Sequence, residues 1–159
     1  MAAITANANI TPLADNEIRK YALAAGVHVW RSSLVGQNPT TGYCGPFDAA
    51  TYSTFIGIAE EEADNTNGAA GDTDNYHTDG TVTQKGMCNV RIRGSFILTA
   101  EAVTLIDIGK PANAIDSSET VAVGASINLT TIGCIEQRLS STTMIVALGK
   151  FEGIGRNGV

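Results

Sequence analysis

Residues 87–98 read MCNVRIRGSFIL. Val90 and Ile92 fall on one face of an extended chain while Arg91 and Arg93 fall on the other. This is the period-two alternation of a half-buried antiparallel strand. On that pattern Val90 and Ile92 face a core and both arginines face away from it.

The same period recurs on either side of this stretch. In GVHVWRSSLVG (26–36), Val27 and Val29 share one face and His28 and Trp30 the other. The turn-rich QNPTTG (37–42) then leads into YCGPF, which predicts a hairpin. FIGIAEE (55–61), ETVAV (119–123), GCIEQRL (133–139) and TMIVALG (143–149) read as further strands, the last two joined by Ser140-Ser141-Thr142 at hairpin length. Seven or so short strands with 17 glycines among 159 residues predict one all-β domain, a small barrel or sandwich. At most one short helix is expected. DNEIRKYALAAG (15–26) offers Asp15 as N-cap, Ile18, Tyr21, Ala22 and Ala25 at helical spacing, and Gly26 as the stop.

Composition limits the partners. The chain is 43% hydrophobic but only 16% charged, below the roughly 25% of ordinary domains, so much of its surface is neutral or covered by another protein. Ten Lys+Arg against 16 Asp+Glu leave a net charge of −6. That charge repels phosphate backbones and anionic bilayers, and no 18-residue apolar run is present. Neither nucleic acid nor a membrane is an expected partner. Cys44, Cys88 and Cys134 form no CxxC pair and are expected to be reduced thiols acting as small apolar groups in a chain made in a reducing cytoplasm.

The acidic stretch 60–80 holds Glu60, Glu61, Glu62, Asp64, Asp72, Asp74 and Asp79, and no Lys or Arg occurs between Arg31 and Lys85. Neither DTDNYH from Asp72 nor DNTNGA from Asp64 satisfies the calcium-loop pattern. A solvated loop is expected there, with weak divalent binding as the alternative. GIGRNG (153–158) spells GxGxxG, but the chain offers no following helix or acid, and 151–159 is expected to be a flexible tail. No nucleophile elbow, P-loop or zinc pattern occurs. The expectation is a non-enzyme with no cofactor, no metal and no catalytic residue.

Up to Asp15 the chain is uncharged, with Ile4, Ile10 and Leu13 as its large branched apolar side chains. Such a segment is either a loose terminus or an arm that orders on a partner.

Taken in order, KYALAAGVHVWRSSLVG (20–36), FIGIAEEEADNTNGAAGD (55–72), VRIRGSFIL (90–98), DIGKPANAID (107–116), GCIEQRL (133–139) and TMIVAL (143–148) resemble the capsid cement, or head decoration, proteins of tailed phages. The resemblance implies a compact β-barrel or β-tulip with an extended N-terminal arm. Such units sit as homotrimers on the outer surface of the virion head, where they clamp neighbouring major capsid subunits. It divides the chain into an arm (1–20), one β domain (21–150) with the acidic loop, and the tail (151–159). The arm would meet the capsid through Ile4, Ile10, Pro12 and Leu13. A β-sandwich module that binds carbohydrate or a cell surface is the alternative. At 6% aromatic residues, the stacking platforms such a module uses are scarce.

Overall fold

A computed structural model describes residues 12–71, 75–76, 82–118, 121–124 and 129–149. The strands in chain order are β1 (Pro12–Ala22), β2 (Val27–Val29), β3 (Leu34–Gln37), β4 (Cys44–Pro46), β5 (Thr54–Ala59), β6 (Ala63–Asn65), β7 (Asn75–Tyr76), β8 (Val82–Gln84), β9 (Met87–Thr99), β10 (Pro111–Ala114), β11 (Val121–Val123), β12 (Thr130–Arg138) and β13 (Thr143–Leu148). A single 3-10 turn, Leu105–Asp107, is the helical element among the described residues. The all-β expectation holds: nine strands form one strongly curled half-barrel sheet in the order β11-β10-β12-β13-β9-β5-β3-β4, with β1 also on β9.

The 13-residue β9 organises this sheet. β1 runs antiparallel along one of its edges, from Ala22 opposite Met87 to Pro12 opposite Phe96. Val90, Arg91, Ser95 and Phe96 are all paired there, so β5 and β13 share the other edge. Ile58 and Ala59 lie opposite Arg91 and Val90, and Leu148 to Thr143 lie opposite Gly94 to Thr99. The sheet forks between them. Gly94 stands at the fork with φ 131°, a conformation that glycine reaches without steric cost.

Two register shifts divide the apolar residues between the faces. Gly36 pairs with Phe55 but Val35 pairs with Gly57, leaving Ile56 as an extra residue in β5. Glu17 pairs with Arg93 but Ile18 pairs with Arg91, leaving Ile92 extra in β9. Each bulge reverses the alternation beyond it. Leu34, Ile58, Phe96, Leu98, Ile132, Ile135, Met144 and Val146 therefore join the larger apolar cluster, which draws on both arms of the curl. Val35, Ala59, Cys88 and Val90 go to the opposite face and pack with Leu23, Val29 and Ala63 beneath the two-stranded β2–β6 ribbon. Gly57 is required at its place, because a Cβ there would lie 2.1 Å from the Arg91 carbonyl oxygen.

Three expectations need correction. Residues 15–22 are strand, not helix: a long partner in β9 offers backbone hydrogen bonds along the whole segment, which outweighs a weak helical spacing. It follows that 12–20, expected in a separate arm, belong to the large sheet. Arg91 does not face away from the core. The bulge at Ile92 sets it opposite Ile58, beside Phe96, with its side chain only 16% exposed.

Candidate interaction surface

The capsid-facing residues expected from sequence are only partly placed. Ile4 and Ile10 lie outside the described residues, as do 72–74, 77–80 and the tail 151–159. Pro12 and Leu13 open β1, with Pro12 opposite Phe96. β1 is long for a strand, 11 residues, and among the described residues its second edge has no strand beside it. Such an edge presents a row of backbone donors and acceptors to any chain that can add a strand. Two of its charges, Glu17 and Arg19, are engaged within the protein. Arg19 Nε donates to Glu17 Oε1 at 2.9 Å, and Arg93 Nε lies 3.6 Å from Glu17 Oε2. Ile18, among them, is 46% exposed.

The three consecutive glutamates are not a solvated loop. Glu60 takes both Nε and Nη2 of Arg91, the latter at 2.6 Å. Glu61 accepts from Lys85 Nζ and from Asn89 Nδ2, each at 3.0 Å. Glu62 Oε1 lies 2.9 Å from His28 Nε2, and the His28 ring stacks on Trp30 with centroids 3.9 Å apart. The Arg91 contact is bidentate, the geometry in which an arginine–carboxylate pair is strongest. Just beyond, Ala63–Asn65 pairs with β2, and Asn65 is fully buried, its Nδ2 donating to the Ala24 and Ala69 carbonyls at 2.9 Å. Thr66 donates its hydroxyl and its backbone N–H to Asp64, which holds that carboxyl below the usual carboxylate range. The ladder thus ties β5 and the start of β6 to β9 and β2, and its acids are committed to protein partners.

At the fork, a cavity of about 140 Å³ is lined by Arg31, Ser32, Ile58, Glu60, Arg91 and Phe96. Ser32 is the one non-glycine described residue with positive φ, 68°, a conformation that costs on the order of 1 kcal/mol or more. The Ser32 N–H donates to the Ala59 carbonyl at 2.8 Å, which fixes the turn between β2 and β3 over β5. Among the described residues no group of three His, Cys, Asp or Glu side chains gathers at metal-binding distance, and no helix is long and apolar enough to cross a membrane. The three cysteines form no disulfide among the described residues; burial pushes Cys44 up to about 11 and Cys88 up to about 12, so both remain thiols at neutral pH.

Local spacing missed both the ladder and the open edge. Glu60, Glu61 and Glu62 meet partners 24 to 34 residues away, and only the run of bases at Lys85, Arg91 and Arg93 opposite a run of acids could have hinted at them. The chain matches no known protein-family model and no curated protein.

Proposed function

We propose that this chain is a structural decoration protein of a viral head: it binds the outer capsid surface and clamps neighbouring major capsid subunits, acting as a homotrimer and without catalysis. The observation that carries the reading is the second edge of β1, beside which no strand lies among the described residues, and which follows the uncharged residues 1–11 in sequence. Backbone pairing along such an edge gives affinity without a detailed side-chain code. A lattice of identical sites multiplies modest contacts into tight attachment. The curled sheet and the ion-pair ladder supply a stiff body behind that edge, as a clamp under outward pressure requires.

The alternative, a module for carbohydrate or a cell surface, draws on one observation, the Trp30 ring stacked on His28 beside Glu62. A flat aromatic next to a carboxylate is a common way to hold a sugar face. Co-sedimentation with undecorated heads of the same virus separates the two. Saturable binding that survives Trp30→Ala and is lost on deleting residues 2–11 supports decoration. Failure of the full chain to bind heads, together with Trp30-dependent binding to a glycan array, would replace it.

A further inference from the structure

β6 ends in a turn whose glycine is imposed from below. Asn65 is fully buried, and its Nδ2 donates to the Ala24 and Ala69 carbonyls at 2.9 Å. Its Oδ1 faces Gly68, where a Cβ would lie 1.9 Å from it. Asn65 cannot swing aside without giving up both donated bonds, so position 68 admits glycine alone. The residue before that glycine is Asn67.

Gly68 presents Asn67 with an unshielded backbone nitrogen, since no Cβ crowds its approach to the Asn67 side-chain carbon. No other asparagine among the described residues precedes a glycine. Asn38 precedes Pro39, which has no N–H, and Asn89 and Asn113 lie within β9 and β10, where the ladder holds the backbone. Asn67 is exposed, and its side-chain amide makes no hydrogen bond among the described residues. Its backbone N–H donates to Gln84 Oε1 at 3.0 Å. The Gly68 N–H donates to the Asn65 carbonyl at 3.2 Å, the long end of the range for such bonds. Freeing that nitrogen therefore forfeits one weak contact.

We propose that Asn67–Gly68 is a self-modification site, at which the chain converts its own asparagine to an isoaspartyl link with water as the one co-reactant. The Gly68 amide nitrogen gives up its proton and forms a bond to Cγ of Asn67. The Cγ–Nδ2 bond breaks, and the side-chain nitrogen leaves with that proton as ammonia, which closes a cyclic succinimide. Water then opens the ring at either carbonyl. Cleavage at Cγ leaves an ordinary aspartyl peptide, whereas cleavage at the backbone carbonyl leaves the chain running through the side chain, one carbon longer. Both products add a negative charge near Asp64, whose carboxyl is already held by Thr66. The longer link also alters the turn. It draws Gly68 away from the Asn65 carbonyl and moves the Ala69 carbonyl to which buried Asn65 donates, and so loosens the β2–β6 ribbon over the smaller apolar cluster. None of this depends on what the protein binds.

The test holds the full chain at neutral and at mildly alkaline pH beside Asn67→Gln and a free peptide of residues 64–72. Samples are followed by intact mass and by peptide mapping with isoaspartyl methyltransferase labelling. A second Asn-Gly, 157–158, lies outside the described residues, so the map decides and not the total isoaspartate. The expected result is conversion at position 67 of the folded chain at a rate that rises with pH and lies within about tenfold of the peptide's, since an exposed turn opens at little cost. Asn67→Gln, whose longer side chain closes a less favourable ring, should stay unmodified there. The isoaspartyl fraction, separated by ion exchange, should melt below the unconverted chain, while Asn67→Asp, which adds the charge without lengthening the backbone, should not. Asn67 intact in the folded chain, whether or not the peptide converts, would overturn the site, as would isoaspartate confined to position 157. Equal melting of the isoaspartyl form and its parent would overturn the coupling to the ribbon.

Discussion

Cys88 and Val90 at one end of β9 and Phe96 and Leu98 at the other have the same parity in the chain, yet the first pair packs beneath the β2–β6 ribbon and the second fills the curl of the large sheet. One inserted residue, Ile92, separates the two destinations. The same insertion carries Arg91 onto the face of Phe96 and within reach of Glu60, while Arg93 stays in solvent, its side chain 67% exposed. Two arginines that look equivalent in an alternating strand are a half-buried strut and a surface charge. A bulge is therefore as consequential here as any side chain, because it decides which chemistry each face receives.

The sharpest way to break this comparison is at the strand's two ends. Phe96→Ala should cost about 3–5 kcal/mol, since a fully buried aromatic leaves a cavity in the larger cluster. Val90→Ala should cost less, on the order of 1–3 kcal/mol, in the smaller one. Urea melts that gave a larger loss for Val90→Ala would invert the assignment of the two cores. Next in size is Gly57→Ala, which drives a methyl group against the Arg91 carbonyl and should cost about 1–3 kcal/mol. A neutral outcome in the same melts would mean that β5 and β9 do not approach so closely.

The arginines sharpen the comparison further. Arg91→Ala removes both hydrogen bonds to Glu60 and should cost roughly 1–3 kcal/mol. Arg93→Ala should change stability by less than about 0.5 kcal/mol. Similar small losses for both would return Arg91 to the outward face that simple alternation assigns it.

The smallest effect concerns pH at the far end of the molecule. The folded-state carboxyl of Asp107 sits at about 2, below its ordinary value of 3.8. Its contribution is thus fully present above the unfolded value and fades as pH falls from about 4 through 2. Melting temperatures of the wild type should drop across that window more steeply than those of Asp107→Asn. Parallel curves would show that Asp107 does not pin the 3-10 turn.

Much of the architecture was legible from alternation alone. The hairpin of β3 and β4, the strands β5 and β9, and the closing pair β12–β13 all lie where apolar residues recur at period two between turn residues. β1 was misread because Asp15, Ile18, Tyr21 and Ala25 happen to suit a helix, and only the edge of β9, some 70 positions on, makes residues 15–22 extended. The short ADN of β6 and PANA of β10 carry no periodic signal of their own. The pairing of Glu60, Glu61 and Glu62 was hidden for a similar reason, as each base arrives from 24 to 34 residues away. Pro12 and Leu13 were singled out as arm residues, and their position on an open sheet edge required the register of β1.

Cryo-electron microscopy of heads mixed with this chain tests attachment through the β1 edge most directly. The expected map shows three copies around each attachment point, with capsid backbone or residues 1–11 of a neighbouring copy at strand spacing, about 4.8 Å, from the outer edge of β1. Heads without added density, or bound copies whose β1 edge faces open solvent, would contradict it.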